Sequence, residues 1–186
     1  REKIHIGNCM VDNVYKHVKM DYFHGFMDRQ TVDDLIKYHG KPDSIFDAYE
    51  STTIENYEKR IPVARDNFKR AGKEAQITLI EGDAMEVLKG LGGSYDFVFM
   101  DAAKGQYIAY LPEVLRILSP EGILVSDNVL QNGEIIESRF VVERRDRTIH
   151  SRMREYLYTL KHHEELETSI LPLGDGVALS IKKEQL

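Results

Sequence analysis

Cysteine is almost absent from the sequence, since Cys9 is the only one in 186 residues. An internal disulfide framework and a cysteine-rich metal site are therefore excluded. The sequence also lacks a signal-peptide pattern and any apolar run long enough to span a bilayer, which predicts a soluble, cytoplasmic protein with no membrane partner. The net charge of −6 argues against broad binding to nucleic acid, and we expect no DNA partner, although a local basic patch could contact RNA.

Short apolar segments rich in β-forming residues are present, and each of them ends in acidic residues. Helical patterns separate these segments, which predicts an α/β fold with a parallel, doubly wound sheet. Ligands bind at the carboxyl ends of the strands in such sheets, so the acids would share one functional edge. The segments are Thr52–Ile54 before Glu55, Ile77–Ile80 before Glu81-Gly82-Asp83, Phe97–Met100 before Asp101, and Ile123–Val125 before Ser126-Asp127-Asn128.

The end of the chain follows a different pattern. The apolar segments Thr168–Leu173 and Val177–Ile181 flank Gly174-Asp175-Gly176, which predicts a hairpin of two antiparallel strands. A helix capped by Thr148 precedes them. The sheet is therefore expected to be mostly parallel and to finish in an antiparallel hairpin.

The first fifty residues are the least regular part. Apolar residues from Met10 to Val18 recur at helical spacing, and Thr31 resembles the N-cap of a second helix that ends at Gly40. We therefore divide the chain into a divergent, mainly helical segment, residues 1–50, and a core, residues 51–186, within a single domain. Residues 43–50 fit either a short strand or a connector.

The strongest candidate site lies around Asp101, because Lys104 follows three residues later and Gly105 allows the strand to turn into a helix. With their surroundings, these residues resemble the metal-dependent, S-adenosylmethionine-dependent O-methyltransferases, which include catechol and caffeoyl-CoA O-methyltransferases and a bacterial branch that methylates 5-hydroxyuridine in tRNA. The last two of six motifs favour the bacterial branch. The motifs are Thr-Ile-Glu at Glu55, Glu-Gly-Asp-Ala at Asp83, Phe-Met-Asp-Ala-Ala-Lys-Gly-Gln-Tyr at Asp101, Ser-Asp-Asn-Val-Leu at Asp127, Arg-Arg-Asp-Arg-Thr from Arg144, and Leu-Pro-Leu-Gly-Asp-Gly near the end.

The resemblance implies a Rossmann-like class I methyltransferase that transfers methyl from S-adenosylmethionine to a metal-bound hydroxyl. The acceptor would be tRNA 5-hydroxyuridine or a catechol-like small molecule, and by analogy the protein would be a homodimer. Lys104 would act as the catalytic base together with Asp101. A divalent cation, expected to be magnesium, would be bound by Asp101, Asp127 and Asn128, whose oxygens suit hard metals. Glu55 would bind the ribose of the cofactor, and the other expected cofactor-binding residues are Gly82, Asp83, Ala84, Asp101 and Tyr107.

One departure from the family concerns the first strand and helix. The Glu-x-Gly-x-x-x-Gly loop of the family is not found, so the first strand and helix region is expected to be degenerate, with Lys41–Asp47 as the remnant of the strand. An alternative function is therefore a non-catalytic or truncated relative that acts as a binding or dimerising module. A third possibility is that another subunit, or the first fifty residues, rebuilds the missing wall of the pocket.

The arginines at the start of the last helix also fit two interpretations. They form either a solvated helix start paired with glutamates or a contact surface for RNA. They are Arg144, Arg145, Arg147, Arg152 and Arg154.

Overall fold

A computed structural model describes residues 2–7, 50–138, 140 and 142–184. Strands and helices alternate from residue 50 to residue 126, as expected from the pattern of apolar segments. None of the helices in the described ranges is long and apolar enough to span a membrane. The elements are β1 Glu2–Gly7, β2 Glu50–Glu55, α1 Arg60–Arg70, β3 Ile77–Glu81, α2 Ala84–Gly90, β4 Tyr95–Asp101, a 3₁₀ turn Lys104–Gln106, α3 Tyr107–Ile117, β5 Leu118–Ser126, a 3₁₀ helix Gln131–Ile136, α4 Arg147–His162, β6 Leu166–Leu171 and β7 Val177–Lys182.

The seven strands form one sheet in the order β3-β2-β1-β4-β5-β7-β6. Strands β1 to β5 are parallel, whereas β7 lies antiparallel to both β5 and β6. The prediction of a mostly parallel sheet that ends in an antiparallel hairpin is therefore confirmed. The chain order of the strands reverses between β1 and β4, and a reversal of this kind opens a crevice at the carboxyl ends of the strands.

The first strand is not where the sequence predicted it. Strand Glu2–Gly7 lies between β2 and β4, with Ile4 opposite both Thr52 and Val98. It occupies the place in the sheet that was predicted for Lys41–Asp47, a segment that lies outside the described residues. Sequence patterns missed this strand because it is short and contains only two strongly apolar residues, separated by a histidine. The predicted helices before Gly40, and residues 43–49, lie outside the described residues.

The helices follow their sequence signals with small shifts at the ends. Pro62 lies in the first turn of α1, and Gly72 beyond its end has a φ of +64°, as expected for a glycine that ends a helix. Helix α4 begins at Arg147, so Thr148 is inside the helix and not its cap. Residues Pro120–Gly122 are part of β5, where Glu121 has a φ of +60° and the pairing with β4 shifts register.

The core is a continuous apolar layer between the sheet and helices α2, α3 and α4. Its centre includes Val98 and Leu124 of neighbouring strands, Val114 of α3 and Leu160 of α4, all fully buried. Because β4 and β5 are anchored in this layer, the loops that follow them extend from a rigid support.

Candidate active site

Strands β4 and β5 end side by side. Met100 is paired with Ser126, and the backbone N–H of Asp127 donates to the carbonyl of Met100 at 3.1 Å. The residues that immediately follow this pair are therefore neighbours, although 26 positions separate Asp101 from Asp127 in the sequence. The parallel register brings the two predicted acidic motifs to one place.

The ammonium group of Lys104 lies at the centre of this place. Its Nζ is 3.1 Å from Oδ1 of Asp101, 2.8 Å from Oδ1 of Asn128 and 3.3 Å from the backbone carbonyl oxygen of Asp127. The side chains of Lys104 and Asp101 are 21% and 12% exposed, so this ion pair is shielded from solvent on most sides. The structure thus brings together the lysine, the acid and the amide that the sequence singled out.

Asn128 occupies an unusual backbone conformation, with a φ of +53°. Asparagine tolerates this left-handed region better than most residues. The backbone N–H of Asn128 donates to Oδ1 of Asp127 at 2.8 Å. Burial raises the pKa of the Asp127 carboxyl above its usual value; this hydrogen bond opposes the shift and the charge of Asp101 adds to it. The site therefore concentrates negative charge in a partly desolvated position.

Tyr107, one of the residues expected to bind the cofactor, lies beside Lys104 in the site. Its side chain is fully buried, and its hydroxyl accepts from Nζ of Lys104 at 2.9 Å and from the N–H of Ala102 at 3.3 Å. The hydroxyl proton can go to the carbonyl of Met100 or of Asp127, each 3.1 Å away. Burial, followed by the nearby charge of Asp101, raises the pKa of Tyr107. The predicted contact of Tyr107 with the cofactor stays a prediction.

Helix α4 contributes supports that the sequence did not identify. Tyr156 shares a hydrogen bond of 2.6 Å with Ser126, next to Asp127, and its ring packs edge-on against Tyr107 with centroids 5.4 Å apart. Arg152 donates to the carbonyl of Gly105 at 3.1 Å. The sequence contains no signal for the element against which Tyr156 packs.

The turn between β6 and β7 also reaches the site. The N–H of Val129 donates to the carbonyl of Gly176 at 2.9 Å, and the N–H of Leu130 donates to the carbonyl of Asp175 at 2.8 Å. In addition, Nδ2 of Asn128 lies 3.4 Å from Oδ2 of Asp175. The sequence identified this turn only as a hairpin; an acid placed between two glycines in a family motif was the signal that it overlooked.

Glu55 lies at the other part of the edge, where β2 ends. It is 5% exposed, and its Oε1 accepts from the backbone N–H groups of Asn56 and Tyr57, both at 3.0 Å. Oε2 lies 3.9 Å from a guanidinium nitrogen of Arg60. The carboxylate thus holds the first turn after its own strand, and its contact with a ribose stays a prediction.

Asp83 behaves similarly at the end of β3. It is the N-cap of α2, and its Oδ1 accepts from the N–H groups of Met85 at 3.0 Å and Glu86 at 3.3 Å. Ala84 is the first residue of that helix. The N–H of Gly82 donates to the carbonyl of Glu55 at 3.1 Å, so the predicted cofactor residues of β2 and β3 are held together. Their contact with an adenine stays a prediction.

Most of the arginines near the start of α4 bind the chain itself. Arg147 donates to the carbonyls of Val142 and Phe140, and Arg154 donates to that of Ile135 at 2.9 Å. Arg145 is exposed and pairs with Glu143 at 3.0 Å. These contacts within the chain fit the interpretation of a helix start paired with its own residues better than that of a contact surface for RNA.

The side chains that could hold a metal ion in this site all offer oxygen donors. Across the described ranges, no cluster of three or more His, Cys, Asp or Glu side chains is placed to hold a metal. The candidate set instead combines the carboxylates of Asp101 and Asp127 with the amide oxygen of Asn128. Two of these side chains already coordinate a cation, the ammonium of Lys104, through oxygens at 3.1 and 2.8 Å, so the oxygen-only set fits a hard divalent ion.

Known proteins have sequences similar to this one. A family model described as O-methyltransferase matches residues 15–183. Caffeoyl-CoA O-methyltransferase 2 of Populus trichocarpa is 33% identical over 137 residues, which cover 67% of this chain and 52% of the relative. O-methyltransferase ankF of Aspergillus thermomutatus is 28% identical over 152 residues, covering 73% of this chain and 61% of the relative.

A solved structure is also similar. The SAH-bound methyltransferase PaMTH1 of Podospora anserina superposes with a TM-score of 0.70 and 26% identity, covering 98% of this chain and 72% of that one. In sequence, the chain spans between about half and three fifths of the length of the two curated relatives.

Proposed function

The chain belongs to the O-methyltransferase family, and we propose from this membership that it transfers the methyl group of S-adenosylmethionine to a hydroxyl group of an acceptor. The relatives that match it are named for O-methyl transfer. The proposal also agrees with the fold, since the order of strands opens a ligand crevice at the edge where the acidic motifs lie.

The single observation that carries the proposal is the convergence of Asp101 and Asn128 on one cationic group at the ends of β4 and β5. We propose that these residues and Asp127 hold a divalent cation, with magnesium preferred because all the donors are oxygens. When bound, the cation would make an acceptor hydroxyl more acidic and orient it. In the structure the ammonium of Lys104 itself contacts the side-chain oxygens of Asp101 and Asn128. A positive charge at these oxygens supports a cation-binding role for the two residues.

Lys104 is the proposed base. Its Nζ, in the neutral form, would take the proton of the acceptor hydroxyl, and Asp101 positions it from 3.1 Å. The acceptor oxygen then forms the new C–O bond as the methyl–sulfur bond breaks, so no covalent intermediate with the protein is needed. A positioned base contributes about 10²- to 10⁴-fold to a rate, which sets the effect expected from its removal.

The remaining residues would bind the cofactor and the acceptor. Glu55 would accept from the ribose hydroxyls, while Gly82, Asp83 and Ala84 would lie at the adenine. Acceptors of two classes are proposed, 5-hydroxyuridine in tRNA and catechol-like small molecules. A cytoplasmic homodimer is proposed by analogy with the family.

Replacement of Lys104 by methionine tests the catalytic proposal. The purified chain would be incubated with methyl-labelled S-adenosylmethionine, magnesium and acceptors of both classes. We expect Lys104→Met to lower kcat by about 10²- to 10⁴-fold without loss of cofactor affinity. Lys89→Met is the matched control, because Lys89 is an exposed helical lysine paired with Glu86. Equal rates for the parent and Lys104→Met would overturn the role of Lys104.

A non-catalytic relative is the second candidate function, and one observation favours it. The first 24 residues contain Gly7 as their only glycine, so the sequence that follows β1 has no match to the glycine-rich cofactor loop of the family. Residues 8–49 lie outside the described ranges. Calorimetric titration with S-adenosylmethionine separates the two functions. Micromolar binding supports the enzyme, whereas no binding to the folded chain at millimolar cofactor supports the binding module.

A further inference from the structure

The loop that carries Asn128 is tied to a distant part of the chain. Two backbone hydrogen bonds, from Val129 to Gly176 and from Leu130 to Asp175, join it to the turn between β6 and β7 at 2.9 and 2.8 Å. A β-carbon on Gly176 would lie 2.3 Å from Cγ of Leu130, so the two segments are in close contact. The backbone alone therefore brings Asp175 next to Asn128, whatever its side chain.

The side-chain amide of Asn128 has two ends, and different partners hold them. Oδ1 lies 2.8 Å from the ammonium of Lys104, which can only donate, and Nδ2 lies 3.4 Å from Oδ2 of Asp175, a carboxylate oxygen that accepts. A rotation of the amide by 180° would put its NH₂ group against the ammonium and its oxygen against the carboxylate. Both contacts would then be repulsive, so the two neighbours favour the same orientation of the amide.

We propose that Asp175 is a positioning residue that keeps the amide oxygen of Asn128 directed into the cation site. This inference rests on the proposed function, because it assumes that Asn128 binds a divalent cation. Residues that orient a metal ligand typically change metal affinity by about 10- to 100-fold when they are replaced. When the side chain of Lys104 moves from the amide of Asn128 to the acceptor hydroxyl, the contact of Asp175 with Nδ2 would still fix the orientation of the amide.

The test measures the affinity of the purified chain for Mn²⁺ by electron paramagnetic resonance, with no acceptor and no turnover. Asp175→Ala removes the partner of Nδ2 but preserves the backbone bonds of the turn, and we expect its dissociation constant to rise about tenfold or more. Asp175→Asn loses the charge but retains an oxygen that can accept, and we expect it to stay within about threefold of the parent. Asp66→Ala, in an exposed position of α1, controls for the loss of one negative charge.

Each outcome separates the inference from the proposed function on which it rests. Asp101→Ala marks the site: if it binds Mn²⁺ as tightly as the parent, the proposed metal site is wrong, and the inference is overturned with it. If Asp101→Ala abolishes binding while Asp175→Ala binds like the parent, only the positioning role is overturned. Equal losses in Asp175→Ala and Asp175→Asn would show that charge, and not the orientation of the amide, is what Asp175 supplies.

Discussion

After the end of β5, the side chain of Asn128 bonds to residues far away in the sequence, whereas Glu55 at the end of β2 and Asp83 after β3 bond to the next turn of their own chain. Asn128 meets Lys104 and Asp175, which lie 24 and 47 positions away. Glu55 and Asp83 bind backbone N–H groups within three positions. Asn128 is therefore held by tertiary structure, and Glu55 and Asp83 are held by local capping, so substitutions around these residues should behave differently.

Gly176→Ala is expected to have the largest effect on stability. The residue has a φ of +86°, and a β-carbon would overlap the side chain of Leu130 at 2.3 Å. Backbone strain of about 1 kcal/mol and overpacking of about 2 kcal/mol together predict a loss of about 3 kcal/mol in the free energy of unfolding. Denaturant unfolding would measure this loss.

Gly72→Ala is the control from the other part of the molecule. Gly72 also has a positive φ, +64°, but a β-carbon there would meet nothing within 4 Å, so we expect a loss of only about 1 kcal/mol. Equal losses at the two positions would contradict the close packing of the turn against the loop that carries Asn128.

Glu55→Ala distinguishes local capping from cofactor binding. If Glu55 binds ribose hydroxyls, the loss of charged hydrogen bonds should weaken the binding of S-adenosylmethionine by about tenfold or more. Titration calorimetry would measure this change. Glu81→Ala is the matched control, since Glu81 ends the neighbouring strand but pairs with Arg65 and is nearly half exposed. Unchanged affinity in Glu55→Ala would leave this residue with its capping role alone.

Asp127→Asn is expected to have the smallest effect on stability, and the size of this effect should depend on pH. Burial raises the pKa of the Asp127 carboxyl in the folded state. The stability that this carboxyl contributes is therefore present below its pKa in the unfolded chain and is lost as the pH rises through its pKa in the folded protein. At neutral pH without metal, Asp127→Asn should therefore melt at a higher temperature than the parent, and the difference should shrink as the pH falls towards 4.

Melting curves in a chelating buffer from pH 4 to pH 8 would measure this dependence. Asp66→Asn, at an exposed helical position, should show no comparable trend. A lower melting temperature for Asp127→Asn at neutral pH would contradict the cost of burying this charge.

The sequence predicted strands well where apolar β-forming residues run together and end in acids, as in Phe97–Met100 before Asp101. It failed at Glu2–Gly7, because a six-residue strand with a charged beginning has little apolar pattern, and because a parallel partner can lie any distance away in the chain. The burial of Tyr107 beside Lys104 was not foreseen for a related reason, since no pattern in the sequence indicates how deeply a residue after a 3₁₀ turn is buried.

The sequence by itself determined the class of fold, the motifs of the O-methyltransferase family and the acids at the strand ends, because apolar periodicity and strand endings are local properties of the chain. Only the tertiary structure decided which of those residues meet. The register of β4 against β5 brings Asp101 beside Asp127, and the return of the chain through β7 brings Asp175 to Asn128. Hydrogen bonds between segments many positions apart depend on how the sheet is assembled, and that assembly is a property of the whole molecule.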